Sequence, residues 1–332
     1  MIPYVKGKVP EQAHVNIPEG LCEEEFGRKG FFGRYAHLYR TEPPVGWTRI
    51  EGDLKPRAFN LRSDCDVREP SFPAERRTVL KNNDVKIQFS SFDQASPDYF
   101  RNADSDEVFF VHSGAGDLFS DFGKMTYSKG DYLVVPRGTV YRFCPSKPTS
   151  FLIVESASEI TLPDKGMIGQ HALFDPAAIE VPVPQGKFDE RDLEEYRLTI
   201  KRCEKLTHVY YPHCPLNTVS WKGTLTIWKI NVDNIRPLSC ERYHLPPSAH
   251  TTFVAKNFVI CSFLPRPLES NESKALKVPF YHSNIDYDEV LFYHSGDFFS
   301  RSGVGPGMMT LHPQGIHHGP QEAAIKRSVD VH

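Results

Sequence analysis

The feature of the sequence that most constrains the fold is an internal repeat. Residues 102–114 read NADSDEVFFVHSG, and residues 284–296, which lie 182 positions further along, read NIDYDEVLFYHSG. Nine of these thirteen positions are identical, and each copy is followed by a Pro-x-Gly turn, at 136–138 and at 313–315. A repeat of this kind predicts two structurally related units in one chain.

Short runs rich in Val, Ile, Phe and Tyr recur between Gly, Pro, Asn and Asp. This pattern is typical of an all-β sandwich or barrel. A chain of 332 residues with 39% hydrophobic residues is long enough to bury a sizeable core. The runs are KIQFSSF, EVFFVHSG, DYLVVPRG, SFLIVES, LTIWKINV, NFVICSFL and EVLFYHSG.

The second copy of the repeat resembles the signature of the cupin double-stranded β-barrel. That signature is His-x-His, then Glu, six further residues and Gly, and finally Pro-x-Gly-x-x-His. Here His282-Ser283-Asn284, Glu289 and Gly296 stand in the first part, and residues 313–318 read PQGIHH. We therefore expect an all-β bicupin, with two double-stranded β-barrel (jelly-roll) domains and few short helices.

The repeat also predicts how the chain is divided. We expect an N-terminal arm at 1–45, an N-terminal cupin domain without metal at 46–165, a connector at 166–205 and a C-terminal metal-binding cupin domain at 206–332.

Three side chains of the second copy are candidate metal ligands. Strand alternation places His282 and Asn284 on one face. Glu289 begins the next strand, and His318 arrives from a third strand after the Pro-x-Gly turn. Two imidazoles and one carboxylate with open positions form the facial triad that suits non-haem Fe(II). Asp288 is the alternative carboxylate ligand, and Asn284 is expected near the substrate or in a turn.

The first copy serves as an internal control for these ligands. Phe100 stands where the second copy has His282, and Tyr141 stands where it has His318. Only Glu107 remains, so this copy should not hold iron tightly. We expect Glu107 to have a structural use, such as capping a turn.

The C-terminal run VPFYHSNIDYDEVLFYHSGDF and the segment LHPQGIHHGPQ resemble the homogentisate 1,2-dioxygenase family. The upstream segments NFVICSFLPRPL and EEEFGRKGFFGRYAHLYR are also similar to that family. The resemblance implies iron ligands His282, Glu289 and His318. It implies cleavage of homogentisate to maleylacetoacetate with Fe(II) and O2, in tyrosine and phenylalanine catabolism. It also implies a homo-oligomer, a trimer or a hexamer, for which the N-terminal arm is a candidate interface element.

The sequence departs from the family pattern at positions that would contact the substrate. Arg301 stands near a family lysine, and we interpret it as a candidate ligand for a substrate carboxylate. A family Trp-His-Gly segment, whose His is a candidate base, reads WKG at 221–223. A replacement base is therefore sought among His250, His244 and His317, with His250 preferred.

Several function classes are disfavoured by composition. The net charge of −3 and the absence of a basic block argue against nucleic acid. No apolar run approaches a membrane span. No apolar leader is seen, so a cytoplasmic protein is expected. The acidic run Glu23-Glu24-Glu25 is expected to be a solvated face.

Three alternative functions remain. They are a gentisate- or salicylate-like dioxygenase, a zinc or manganese cupin isomerase, and a non-enzymatic bicupin that binds a small molecule.

Overall fold

The chain folds into two units. The computed structural model describes residues 4–63, 67–184, 191, 193–267, 269, 274–296, 298, 301 and 303–328. Unit A comprises Leu61–Arg236 and Thr252–Ser262. Unit B comprises Met1–Asn60, Pro237–Thr251 and Phe263–His332.

Regular structure in the described residues is mostly β-strand, which confirms the predicted all-β class. All seven apolar runs predicted to form strands contain one. The elements in chain order are β1 (Cys22–Gly27), β2 (Tyr35–Arg40), β3 (Arg57–Asn60), β4 (Arg77–Lys81), β5 (Val85–Phe92), β6 (Tyr99–Asn102), β7 (Asp106–Ser120), β8 (Gly123–Ser128), β9 (Asp131–Val135), β10 (Val140–Ser156), β11 (Tyr196–Arg202), β12 (Lys205–Tyr211), β13 (Trp228–Asn231), β14 (Thr251–Val254), β15 (Val259–Cys261), β16 (Tyr281–Asn284), β17 (Glu289–Tyr293), β18 (Met308–His312) and the helix α1 (Glu322–Ser328).

Unit A is built around the long antiparallel pair of β7 and β10. Strands β4 to β13 form one ten-stranded sheet, in which β10 pairs with β5, β6 and β7. Along β7 and β10, the alternate residues Phe109, Val111, Phe151 and Ile153 are fully buried. Because alternate side chains of a strand share a face, this spacing gives the barrel one continuous aromatic and aliphatic core.

The glycine that ends each copy of the repeat allows a backbone conformation that other residues rarely adopt. Gly114 has φ +94° and Gly296 has φ +96°. Residues other than glycine rarely adopt positive φ angles of this size. A Cβ at Gly114 would also lie 2.4 Å from Thr149 Oγ1. The backbone conformation therefore explains why both copies of the repeat end in glycine.

Unit B joins the beginning of the chain to its end. One three-stranded sheet has the order β16-β1-β2, and another has the order β17-β18-β3. The boundaries predicted at residues 45, 165 and 205 do not coincide with this division. Residues 1–45 are not a separate arm, because β1 pairs in parallel with β16. Strands β11 to β13 belong to the sheet of unit A, because β11 pairs with β6 and β13 pairs with β9.

The repeat copy in unit A holds a buried guanidinium. Arg76 Nη1 lies 2.5 Å from Glu107 Oε1 and 3.0 Å from Glu155 Oε1, and all three side chains are at most 3% exposed. Arg76 Nη2 donates to Tyr141 Oη at 2.7 Å. The guanidinium carbon lies 5.3 Å from the ring centre of Phe100. Glu107 therefore has a structural use, as predicted, but as the partner of a buried cation.

Arg76 stays protonated although it is buried. Burial disfavours the charged guanidinium, but Glu107, Tyr141 and Glu155 outweigh this effect and raise the pKa of Arg76. Burial, together with the neighbouring Glu107, raises the pKa of Tyr141 well above its ordinary value, so its hydroxyl remains a proton donor.

Replacing Arg76 by Leu should destabilise unit A strongly. The change leaves Glu107 and Glu155 buried without their cation, which typically costs about 3–5 kcal/mol. Urea denaturation followed by far-UV circular dichroism should show this loss. The matched control is Arg202→Leu, since the side chain of Arg202 is 67% exposed where it pairs with Asp104. The control should lose about 1 kcal/mol or less. Equal losses in the two variants would contradict the assignment.

Candidate metal centre

Two histidines are brought together by a backbone bridge in unit B. His282 lies in β16, and its N–H donates to the carbonyl of His318 at 2.8 Å, while the reverse bond is 3.0 Å. The centres of the two imidazole rings are 4.0 Å apart. Both residues are buried, at 6% and 5% exposure. The two rings therefore have nearly fixed positions relative to each other.

The carboxylate of Glu289 completes the predicted group. Glu289 Oε2 lies 3.7 Å from His282 Nε2 and 2.5 Å from His318 Nε2. One ligand atom from each of the three residues lies within 4.8 Å of the other two. The structure thus places together the three side chains that the cupin signature singled out.

Hydrogen bonds direct the same nitrogen of both rings toward the carboxylate. His282 Nδ1 lies 3.0 Å from the carbonyl oxygen of Phe280, and His318 Nδ1 lies 3.4 Å from that of Ile316. A carbonyl can only accept, so each Nδ1 carries the proton. The lone pair of each Nε2 then remains available, which is how second-shell contacts orient imidazole ligands around a metal.

The chemistry of the group fits a metal cation. His318 Nε2 is buried and makes no well-aligned hydrogen bond, although Glu289 Oε2 is close to it. Burial favours the neutral carboxyl group, but the surrounding imidazoles of His282, His312 and His318 outweigh it and lower the pKa of Glu289 well below its ordinary value. Burial lowers the pKa of His318. An ionised carboxylate and a neutral imidazole are the forms that bind metals.

His312 joins this group and was not among the predicted site residues. In the pairing of β17 with β18 it lies opposite Glu289, and its Nδ1 is 3.3 Å from Glu289 Oε2. Its ring stacks on that of His318 at 4.8 Å. The sequence signal was available, because His312 directly precedes the Pro-x-Gly turn and antiparallel pairing places it across from the carboxylate.

The alternative carboxylate is engaged elsewhere. Asp288 Oδ1 accepts the backbone N–H of Gln314 at 3.0 Å, in the Pro-x-Gly turn. In unit A, Asp106 Oδ1 accepts the N–H of Arg137 at 2.9 Å in the corresponding turn. The repeated aspartate therefore fixes a turn in both copies, which leaves Glu289 as the carboxylate that faces the histidines.

Asn284 caps a turn. It is buried at the end of β16, and its Oδ1 accepts the N–H of Asp286 at 3.4 Å. This contact matches the turn-capping alternative that the sequence left open beside a substrate contact.

Three histidines were predicted as candidate bases: His250, His244 and His317. In the part of the chain that the structure describes, none of them contacts Glu289. His317 points away from its neighbour His318, and its Nδ1 lies 2.5 Å from Glu24 Oε1. His244 lies between Glu269 at 3.3 Å and Arg266 at 3.4 Å.

His250 is buried, and neither of its ring nitrogens makes a hydrogen bond within the described part of the chain. Burial, assisted by the positive charge of Arg266, lowers the pKa of His250 to about 4. The ring is therefore uncharged at neutral pH and a weak base.

A groove of about 310 Å³ adjoins the group. His312 and Thr310 lie on one wall, and the groove is also lined by Arg57 and by Arg301, which the sequence nominated for carboxylate binding. Arg57 belongs to β3, and its presence here follows from the pairing of β3 with β18. The groove thus combines histidine and two guanidinium groups in one cavity.

Comparisons with known proteins agree with the resemblance to homogentisate 1,2-dioxygenases. Residues 77–232 match the family model described as "Homogentisate 1,2-dioxygenase N-terminal". A "putative dioxygenase" of Saccharolobus solfataricus is 33% identical over 98% of this chain and 88% of that protein. The homogentisate 1,2-dioxygenase of Sinorhizobium fredii is 29% identical over 70% of this chain. The match covers 53% of that protein, so the chain spans about half the length of this relative.

Similarity to solved structures is confined to short segments. A cupin-2 domain protein from Shewanella frigidimarina is 22% identical with a TM-score of 0.23, and covers 25% of this chain and 79% of that one. A score this low assigns no function to the chain. In the part of the chain that the structure describes, no helix is long and apolar enough to cross a membrane.

Removing either histidine of the group should abolish metal binding beside Glu289. We expect His282→Ala and His318→Ala each to lose the metal held beside Glu289, because a carboxylate with one imidazole leaves too few ligands. Anaerobic loading with Fe(II), followed by elemental analysis, measures this. Tyr141→Phe in unit A is the control and should keep the full iron content. Loss of iron in that control would refute the division of roles between the two repeat copies.

Proposed function

Because the chain belongs to the homogentisate 1,2-dioxygenase family, we propose that it is an Fe(II)-dependent enzyme that opens the aromatic ring of homogentisate. The product would be maleylacetoacetate, an intermediate of tyrosine and phenylalanine breakdown. The observation that carries the proposal is the convergence of His282, Glu289 and His318 beside a groove lined by two arginines.

The choice of iron rests on the ligand set. Two imidazoles and one carboxylate leave open positions in an octahedral shell, which is the arrangement of non-haem Fe(II) oxygenases. Bound Fe(II) supplies a Lewis acid and a one-electron reductant, which together allow an electron-rich ring to react with O2. The protein residues hold the ligands in place through the bridge between His282 and His318 and the carbonyl of Phe280.

The two arginines of the groove suit a substrate with a negatively charged side chain. Homogentisate carries a carboxylate on a short arm, and guanidinium groups bind carboxylates through paired N–H donors. We propose that Arg301 binds this carboxylate, with Arg57 on the same groove as its partner. The aromatic ring would then lie toward His312, since that residue lines the groove and contacts Glu289.

His312 is the preferred proton acceptor in this proposal. Activation of the ring requires loss of a phenolic proton, and an imidazole nitrogen within hydrogen-bond reach can accept it. His312 is favoured by its contact with Glu289 and its place in the groove. His250, preferred from sequence, stays a second candidate, and its lowered pKa makes it the weaker base. Asn284 is proposed to border the substrate.

We also propose a homo-oligomer, a trimer or hexamer, in the cytoplasm. Exposed aromatic side chains near β1 and β2 support an interface: Phe26 is 43%, Phe32 61% and Tyr35 63% exposed. No disulfide joins the six cysteines that the structure describes, which suits a reducing compartment. Light scattering on the purified chain measures the assembly directly.

Oxygen consumption tests the substrate assignment. Fe(II)-loaded protein should consume O2 with homogentisate in an oxygen electrode, and maleylacetoacetate should accumulate. Gentisate and salicylate are the comparison substrates, because they place the carboxylate directly on the ring. Turnover of gentisate without turnover of homogentisate would show that the protein is a different ring-cleaving dioxygenase.

Substitution of Arg301 tests the role of the groove. Arg301→Gln should raise KM for homogentisate by about tenfold or more, because a charge-assisted hydrogen bond contributes about 1.5–3 kcal/mol. Iron content should be unchanged. Arg34→Gln, at an exposed residue, is the control and should leave KM unaltered. An unchanged KM in Arg301→Gln would remove this residue from the substrate site.

A further inference from the structure

The acidic run of β1 is buried, which corrects the expectation of a solvated face. Glu23, Glu24 and Glu25 are 2%, 0% and 8% exposed. Buried carboxylates are costly unless positive groups or hydrogen bonds compensate them. Glu24 is compensated by Arg40, whose Nε lies 2.5 Å from Glu24 Oε2, and by His317. Strand alternation turns Glu23 and Glu25 to the opposite face.

On that face the two carboxylates meet two histidines. The antiparallel pairing of β1 with β2 sets Glu25 opposite His37, and His14 approaches from the segment before β1. Glu25 Oε2 lies 3.4 Å from His37 Nε2 and 3.9 Å from His14 Nε2. One ligand atom each of His14, Glu23 and His37 lies within 4.8 Å of the other two. Two imidazoles and two carboxylates able to bind a metal therefore lie close together on this face.

Glu23 orients His14 for this arrangement. Its Oε1 lies 2.5 Å from His14 Nδ1, and it also accepts the backbone N–H of His14 at 3.0 Å and the hydroxyl of Tyr39 at 2.8 Å. The Nδ1 of His14 therefore carries the proton, and its Nε2 is left facing Glu25. A carboxylate bonded to Nδ1 is the usual second-shell support of an imidazole that binds a metal through Nε2.

His37 supplies a buried nitrogen with an unused lone pair or proton. Its side chain is 15% exposed, and its Nε2 is buried without a hydrogen bond, although Glu25 Oε2 is nearby. Glu23 and Glu25 thus bring two buried carboxylates beside the two imidazoles. A divalent cation at this point would neutralise them and would bind the free nitrogens of both rings.

We propose that His14, His37 and Glu25 form a second site for a divalent transition metal in unit B, with Glu23 orienting His14. The site shares no residue with the group formed by His282, Glu289 and His318. The ring of Phe280 lies between them, stacked on His14 at 4.0 Å and 5.7 Å from His282. Two imidazoles with carboxylate oxygens suit Zn²⁺, for which tetrahedral nitrogen and oxygen ligands are common.

This second ion would be structural. The strands β1 and β2 and the segment that carries His14 supply all of its ligands, so the ion would join three consecutive parts of the N-terminal region. Because β1 pairs with β16, with Glu25 beside His282 in the register, fixing β1 also fixes the strand that carries His282.

The test is the number of Zn²⁺ ions that untagged, metal-free protein binds, measured by calorimetric titration and by elemental analysis after dialysis. The wild-type chain should bind two equivalents. His318→Ala should keep one equivalent, and His318→Ala combined with His37→Gln should keep none. Binding of no equivalent in His318→Ala would overturn the proposal, whether or not the site beside Glu289 binds iron.

Matched variants separate ligand loss from misfolding. Tyr39→Phe removes the hydroxyl bonded to Glu23 but no ligand, and it should still bind two equivalents. Glu25→Gln keeps the shape of the side chain, and it should lose one equivalent while its far-UV circular dichroism matches that of the wild type. Two equivalents bound by Glu25→Gln and by His37→Gln would refute the site.

Discussion

A carboxylate near the start of the same strand of the repeat, fully buried in unit A and partly exposed in unit B, is the constraint on which both units depend. Glu107 in unit A and Glu289 in unit B occupy the same position of the repeat, and each needs positive or proton-donating partners to remain ionised. Unit A meets the need with the guanidinium of Arg76 and the hydroxyl of Tyr141. Unit B surrounds its carboxylate with imidazoles, which can share it with an exchangeable ion. The same position of the repeat therefore carries an ion-paired glutamate in unit A, Glu107, and a candidate metal ligand in unit B, Glu289.

The choice of partner decides what each barrel can do. A guanidinium is tethered to the chain, saturates the carboxylate and leaves no open position for a small molecule. Imidazoles present lone pairs and can hold an ion that keeps coordination sites free. The substitution of Phe100 and Tyr141 for the two histidines therefore fits a unit with a structural role.

The sequence predicted much of this arrangement, because the relevant signals are local. The repeat, the strand alternation around His282 and the turn before His318 gave the fold class and brought the three candidate ligands together. The contribution of Arg76 could not be predicted, because it reaches Glu107 from a segment outside the repeat. His312 was missed because its role depends on cross-strand register rather than on its own motif. The burial of Glu23, Glu24 and Glu25 depends on pairing between the two ends of the chain, which no local pattern encodes, and the domain boundaries failed for the same reason.

That pairing of distant segments has a consequence for how the protein is made. Unit A is formed mainly by one continuous stretch, Leu61–Arg236, and it can collapse while the ribosome is still adding residues. Unit B cannot be completed in this way, because β1 must wait for β16 and β3 must wait for β18 before either three-stranded sheet is complete. Strands β1 and β3 are therefore made long before the strands β16 and β18 that pair with them, and an edge left unpaired in the meantime is a site for aggregation of the nascent chain.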